Sequence, residues 1–103
     1  MFEEVGCVWC ARWEKDVGAS YDLAREARLA PLTKLDVNDR LPDEITLARA
    51  AHFTPTFVLL DEGREVSRIE GYPGEDFFWG LLQMMIQDAM IANPSNTHPQ
   101  TTN

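Results

Sequence analysis

Residues 54–72, TPTFVLLDEGREVSRIEGY, constrain the fold of this chain more than any other part of the sequence. The run TFVLL is apolar and β-branched, DEG is a typical turn sequence, and REVSRIE alternates polar with apolar residues. Two such runs joined by a short turn that contains glycine predict an antiparallel β-hairpin. The fold must therefore contain a sheet with this hairpin in it.

The segments around the hairpin predict two more strands and three helices. In chain order these are a strand in MFEEV, a helix from about Cys7 to Leu29, a strand over 32–37, a short helix over 41–53 and a helix over 73–91. We expect Phe2 and Val5 to face inward. The first helix ends before Pro31, and Gly18 marks a point where it can kink or break.

This order of elements predicts an α/β fold with a mixed sheet of about four strands and helices on both faces. The first strand, helix and second strand form a parallel unit, and the hairpin adds antiparallel strands. With 103 residues the chain suits one domain, which we place at 1–92. The polar residues 93–103 contain two prolines and are expected to be a disordered tail.

Charge and hydropathy exclude several classes of function. The net charge of −8 makes nucleic acid an unsuitable partner, because phosphate binding needs a basic surface. No apolar run is long enough to span a membrane, so we expect a protein that is not itself inserted in one. The first ten residues lack the basic start, apolar stretch and cleavage site of a secretory signal, although upstream residues that carry one can be missing.

The only two cysteines of the chain, Cys7 and Cys10, lie three positions apart in GCVWC. A disulfide between them closes a very small loop and stabilises a fold little, so a structural staple is the weaker interpretation. A zinc site needs four ligands, and a second cysteine pair is missing from the sequence. Redox use is favoured, because the pair lies where a strand turns into a helix. A metal shared between two chains remains an alternative.

The position of each thiol predicts its role in such a redox pair. Cys7 lies at the helix start, where unpaired N–H groups and the helix dipole lower the pKa of a thiol, so it is the candidate nucleophile. Cys10 lies one turn further in and is the candidate resolving thiol. Neighbouring charges oppose each other: Glu3 and Glu4 raise the pKa of Cys7, and the basic residues Arg12 and Lys15 lower it.

Taken together, GCVWC, FTPTFVLLDEG and RIEGYPGEDFF resemble the thioredoxin family, from about Met1 to Ile91. Within that family the chain is most similar to the periplasmic thioredoxins of bacterial sulfur-oxidation systems. The resemblance implies a thioredoxin-like fold and a thiol–disulfide oxidoreductase, a reductase of protein disulfides or of mixed disulfides on cysteine. It also implies that Cys7 attacks and Cys10 resolves.

The resemblance further implies a substrate-binding surface around the cysteines. Pro55 matches the cis-proline of the family, next to which the backbone of Thr54 pairs with an extended substrate segment. Gly71 matches a glycine that leaves room for substrate. Val8 and Trp9 replace the Gly-Pro dipeptide of thioredoxin itself and are expected to shape the contact surface.

Cofactor, partners and location are implied in the same way. The reversible disulfide is the only redox group, although GYPGED is similar to a glutathione-binding stretch of glutaredoxins, with Asp76 near a helix start or simply capping it. Two alternatives therefore stay open: a glutaredoxin-like deglutathionylating enzyme, and a non-catalytic module that senses redox state or shares a metal. The implied partners are sulfur-oxidation proteins such as the sulfur carrier, with a membrane thiol transporter as electron donor. The implied protein is periplasmic and monomeric, and a cytoplasmic location stays open.

Overall fold

A computed structural model describes residues 1–92 of the chain, which are built around a four-stranded sheet. Its strands, in the order β2-β1-β3-β4, are β1 (Phe2–Glu3), β2 (Leu35–Asp36), β3 (Thr56–Asp61) and β4 (Arg64–Glu70). β1 and β2 are parallel, whereas β1 with β3 and β3 with β4 are antiparallel, so the predicted mixed sheet is confirmed. The predicted disordered tail, residues 93–103, lies outside the described residues.

The predicted hairpin is formed by β3 and β4. Glu62 and Gly63 at its turn both have positive φ, as the tight turn between two twisted strands requires. A side chain at Gly63 would clash with the backbone carbonyl of Glu44, so this glycine also allows a neighbouring segment to approach. The register shifts opposite Leu59 and Leu60 and leaves Val66 unpaired, as in a β-bulge. The extra residue brings Glu65 onto the same face as Arg68.

The first helical region differs from the single helix that we predicted over Cys7 to Leu29. It consists of α1 (Val8–Trp13), a π-helical segment (Glu14–Gly18), α2 (Ala19–Tyr21) and, after a break at 22–25, α3 (Glu26–Leu29). Leu23, within the break, is 87% exposed, so residues 22–25 present no apolar face whose burial would stabilise a continuous helix. The predicted strand over 32–37 is also shorter, and Val5 is exposed rather than inward.

The helix predicted over 41–53 is wrong, since that segment is extended and irregular. Thr46 forms a parallel bridge with Arg64, and its backbone N–H donates to the carbonyl of Gly63 at 2.7 Å. Burial alternates over 45–48: Ile45 and Leu47 are half-buried, and the residues that follow each of them are exposed. This two-residue period is that of a strand, and it outweighs the helix propensity of the alanines further along.

The closing helix, α4 (Glu75–Ala92), is confirmed. Its buried residues are Phe78, Leu82 and Ile86. Phe78 packs edge-on against Phe57 of β3 and Trp13 of α1, with ring centroids 4.8 and 5.8 Å apart. The core of the described residues is therefore an aromatic cluster that joins α1, the hairpin and α4 directly behind the cysteines.

Candidate active site

The two cysteines lie where β1 leads into α1. After β1 the chain turns through Gly6, whose positive φ of 82° favours glycine, and the N–H of Cys7 donates to the carbonyl of Glu4 at 3.1 Å. Cys7 has an extended backbone and is the N-cap of α1, whereas Cys10 lies within the helix. The predicted position of the pair at a strand-to-helix junction is therefore confirmed.

Cys7 and Cys10 are joined by a disulfide, with their Cα atoms 5.2 Å apart. The backbone N–H of Cys10 donates to the sulfur of Cys7 at 3.1 Å, so a hydrogen-bond donor already points at this sulfur. The two residues differ in access to solvent: Cys7 is half-buried, and Cys10 is only 7% exposed. An incoming group can therefore reach the first sulfur more easily than the second.

The strand register brings the other predicted site residues to the same end of the sheet. Thr56 pairs with Phe2 on one side and with Glu70 on the other, so Pro55 and Thr54 lie beside the end of β1. The N–H of Gly71 donates to the carbonyl of Pro55 at 2.7 Å, which places Gly71 next in the row. Pro55 is buried, Thr54 and Gly71 are half-buried, and the Thr54–Pro55 peptide bond is cis.

Exposed apolar side chains surround this end of the sheet. Val8 and Trp9, between the cysteines, are 75% and 58% exposed. Phe53, just before Thr54, is 62% exposed and was missed by the sequence interpretation, although it stands next to the FTPTF motif. Large apolar residues this accessible are suited to contact with another protein.

A hydrogen-bonded chain of side chains links the Gly71 loop to the first helical region. The hydroxyl of Tyr72 donates to Asp16 at 2.8 Å, and Asp16 also pairs with Arg12 at 3.2 Å. Loss of solvation, followed by the hydrogen bond and the charge of Asp16, raises the pKa of Tyr72 to about 12. The phenol is therefore a neutral donor at physiological pH, a contact that the sequence pattern did not reveal.

A second polar network lies beside the segment that leads to Pro55. The side chain of Arg68 is 5% exposed, and its guanidinium binds Glu65 at 2.6 Å and Glu70 at 3.2 Å. The hydrogen bond from Arg68 is the main cause that lowers the pKa of Glu65, and the same bond raises the pKa of Arg68. Both groups are thus held in their charged forms. Alternation along REVSRIE predicted a strand here, but gave no sign of the network.

Other candidate features of the sequence gain less support from the geometry. Asp76 lies within the first turn of α4 and not before it, so it is not the predicted helix cap. Within residues 1–92 there is no cluster of three or more histidine, cysteine or carboxylate side chains that could bind a metal ion. No helix among these described residues is long and apolar enough to cross a membrane.

Comparison with known proteins identifies a close structural relative. The chain is similar to the periplasmic thioredoxin SoxS from Paracoccus pantotrophus, whose crystal structure is of the reduced form, with 49% sequence identity and a TM-score of 0.84. The match covers 86% of this chain and 94% of that one. No protein-family model and no curated protein matches the sequence. The match to SoxS confirms the thioredoxin-like fold and the resemblance inferred from the sequence.

Proposed function

We propose a reductive role for this chain, which belongs to the thioredoxin family and is a thiol–disulfide oxidoreductase: it reduces disulfides or mixed disulfides of partner proteins. The observation that supports this proposal best is the asymmetry of the cysteine pair. Cys7 caps the helix, accepts the N–H of Cys10 and is partly accessible, whereas Cys10 is buried behind it. Helix N-termini and N–H donors stabilise thiolates, so Cys7 is suited to be the nucleophile.

The reaction proceeds in two exchange steps that conserve electrons. In the reduced protein, the Cys7 thiolate attacks one sulfur of the substrate disulfide and releases the other as a thiolate, leaving a mixed disulfide. Cys10 then loses its proton and attacks the sulfur of Cys7, which forms the Cys7–Cys10 disulfide and releases the second substrate sulfur. Two electrons pass to the substrate, whose thiolates take up two protons. A dithiol protein must reduce the disulfide again before the next turnover.

The docking surface in this proposal consists of Thr54, Pro55 and Gly71 together with the exposed Val8 and Trp9. Thr54 lies two residues before Thr56, the first paired residue of β3, at the end of the sheet that carries the cysteines. An extended substrate segment can add there as a further strand through backbone hydrogen bonds. The apolar side chains of Val8 and Trp9 then cover the residues next to the substrate cysteine.

Partners and location are proposed by analogy with the relative. SoxS is a periplasmic thioredoxin, and we assign this chain to the periplasm and to a sulfur-oxidation pathway. Its substrates there are sulfur-oxidation proteins, among them the sulfur carrier, and its electron donor is a membrane thiol transporter. The exposed apolar surface at the cysteines supports protein substrates over small molecules.

The first experiment measures reduction of insulin with dithiothreitol as the terminal reductant. We expect catalysis by the wild-type chain and none by the Cys7→Ser variant. The Cys10→Ser variant should instead accumulate a covalent adduct with its targets, because no thiol is left to resolve the mixed disulfide. If Cys10→Ser captures nothing from a periplasmic extract while Cys7→Ser does, the assigned roles are reversed.

The second experiment equilibrates the cysteine pair with glutathione buffers and determines its reduction potential. A strongly reducing value supports a protein-disulfide reductase, whereas an oxidising one contradicts that direction of flow. Reduction of a glutathione mixed disulfide faster than insulin would instead favour the glutaredoxin-like alternative. Binding of stoichiometric zinc or iron by the reduced protein would favour the metal-sharing one.

A further inference from the structure

We propose that Arg68 is a positioning residue for substrate docking: from β4 it fixes residues 48–50, and through them the Phe53–Pro55 segment that receives the substrate. The inference goes beyond the cysteine chemistry and rests on the proposed docking at Thr54 and Pro55. Arg68 lies outside the cysteine motif. The sulfurs of Cys7 and Cys10 are bonded to each other, and the Cys7 sulfur accepts the N–H of Cys10, so neither contact involves Arg68.

The contacts of the Arg68 guanidinium account for all five of its N–H groups. Two hydrogen bonds go to the carboxylate of Glu65, at 2.6 and 2.7 Å, and one goes to Glu70 at 3.2 Å. The other two go to backbone carbonyls, of Arg49 at 2.7 Å and of Ala50 at 3.4 Å. An arginine has five donors in a fixed planar arrangement, so this side chain joins the strand to the segment with none left over.

The glutamates complete the attachment of the same segment. Glu65 also accepts the backbone N–H of Ala48 at 2.8 Å, and Glu70 binds the side chain of Arg49 at 3.1 Å. Three consecutive residues, 48–50, are thus tied to β4 by side chains. Residues 41–53 do not form the helix that their composition predicts, so these side chains supply partners that helical hydrogen bonds would otherwise provide.

The attached residues 48–50 lie close in sequence to the docking segment, Phe53–Pro55. Three residues separate Ala50 from Thr54, and the hydroxyl of Thr56 donates to the carbonyl of Phe53 at 2.5 Å. The segment is therefore fixed on both sides of Thr54, by Arg68 before it and by Thr56 after it. Releasing the Arg68 attachment leaves Phe53 and Thr54 held from the side of Thr56 alone and so freer to move, while the disulfide and its helix stay in place.

The test compares Arg68→Met, which keeps the apolar length of the side chain, with wild type and with Arg68→Lys. We expect the KM for insulin to rise roughly tenfold to a hundredfold in Arg68→Met, as when one or two backbone residues must be ordered on binding, with kcat unchanged. The rate with cystine, a small disulfide that does not need the segment, should stay within about twofold of wild type. Lysine has three donors, so Arg68→Lys should restore part of the KM.

A second variant controls for misfolding of Arg68→Met, which leaves the buried Glu65 carboxylate without its partner. Glu65→Gln with Arg68→Met removes both charges and should show the same rise in KM. The matched control is Arg40→Met, whose ion pair with Asp43 is 86% and 87% exposed, and it should change neither KM nor kcat. If neither methionine variant folds, Arg68→Lys is judged by the same readouts, and an unchanged KM overturns the proposal.

Hydrogen exchange separates failure of this inference from failure of the proposed function. The backbone amides of residues 50–54 and 56 should exchange faster in Arg68→Met than in wild type, with no change at residues 7–13. Equal exchange at 50–56, or a cystine rate that falls as much as the insulin rate, overturns the positioning role. If wild type does not reduce insulin at all, the proposed function fails, and the exchange measurement still decides what Arg68 holds.

Discussion

Two regions position the candidate active site by different physical means. Behind Cys10, the aromatic cluster of Trp13, Phe57 and Phe78 packs α1 against the hairpin and α4. Behind the docking segment, the charged network of Glu65, Arg68 and Glu70 ties an extended stretch of chain to β4. The first region is apolar and joins helices to strands. The second is ionic and holds backbone that has no regular structure of its own.

The difference shows which forces suit each task. Apolar packing is strong and non-directional, so it can hold a helix that carries a reactive pair on a sheet. An irregular segment offers carbonyl and N–H groups that need partners, and only directional donors and acceptors can supply them. The aromatic cluster should therefore contribute most to the free energy of unfolding, and the charged network should determine the conformation of the docking segment.

The largest expected effect comes from truncating the centre of the cluster. Trp13 is 0% exposed, and its ring lies 5.4 Å from that of Phe57. We expect Trp13→Ala to reduce the free energy of unfolding by about 3–5 kcal/mol, because it leaves a cavity between α1 and the sheet. Urea unfolding followed by circular dichroism measures the loss.

The matched control is Trp9→Ala, four residues earlier on the same helix. Trp9 is 58% exposed, so its removal should change the free energy of unfolding by no more than about 0.5 kcal/mol. It should nevertheless slow reduction of insulin, because Trp9 belongs to the proposed docking surface. Equal losses of stability in the two variants would show that the aromatic cluster does not dominate the free energy of unfolding.

The fold shows how far sequence patterns reach in such a chain. The hairpin and α4 were predictable because strand alternation and helical spacing persist over long runs. The segment 41–53 was not, because its prediction rested on Pro42 and Asp43 as a helix start and passed over the alternation of Ile45 and Leu47. Its actual path depends on Arg68 and on Gly63, both far along the chain. Contacts with residues so distant in sequence leave no pattern within the segment itself.

The candidate site likewise contains residues that local sequence predicts and residues that it does not. The cysteines and the motif around Thr54 and Pro55 are local in sequence, and the strand register brings them to one end of the sheet as the family resemblance implies. Their individual roles stay predictions until the variants are measured. Phe53 could have been found from its position beside the motif. Tyr72 could not, because its partner Asp16 is 56 residues away.

The next largest effect comes from breaking the charged network on one side only. We expect Arg68→Met to lower the free energy of unfolding by about 2–3 kcal/mol, since it leaves Glu65 charged and without its main partner. The double variant with Glu65→Gln should lose clearly less, although one whole ion pair is gone. Chemical denaturation of the four members of this cycle gives the coupling. Additive losses would mean that the two side chains do not act as a pair.

The ionic region should also respond to acid, whereas the aromatic one should not. Hydrogen bonding from Arg68 lowers the pKa of Glu65 in the folded protein below its usual value of 4.5. Its contribution to stability is therefore present above pH 4.5 and is lost as the pH falls through the folded pKa. The stability of wild type should fall more steeply with acid than that of Glu65→Gln. The exposed Asp43→Asn variant should follow the wild-type curve.

The smallest effect tests whether the Gly71 loop is held to the first helical region by one hydrogen bond from a neutral phenol. Tyr72→Phe removes its bond to Asp16, which keeps Arg12 as a partner, so we expect a loss of about 1 kcal/mol in the free energy of unfolding.

Burial raises the pKa of Tyr72 and Tyr21 to about 12, so folding favours both neutral phenols. Their contribution is present below pH 10 and is lost as the pH rises through 12. Phenolate absorbance should thus appear near pH 12 in the folded protein and near 10 in urea, with half the amplitude in Tyr72→Phe. A folded transition at pH 10 would mean that this loop lies open to water and that Arg68 holds the better-fixed side of the site.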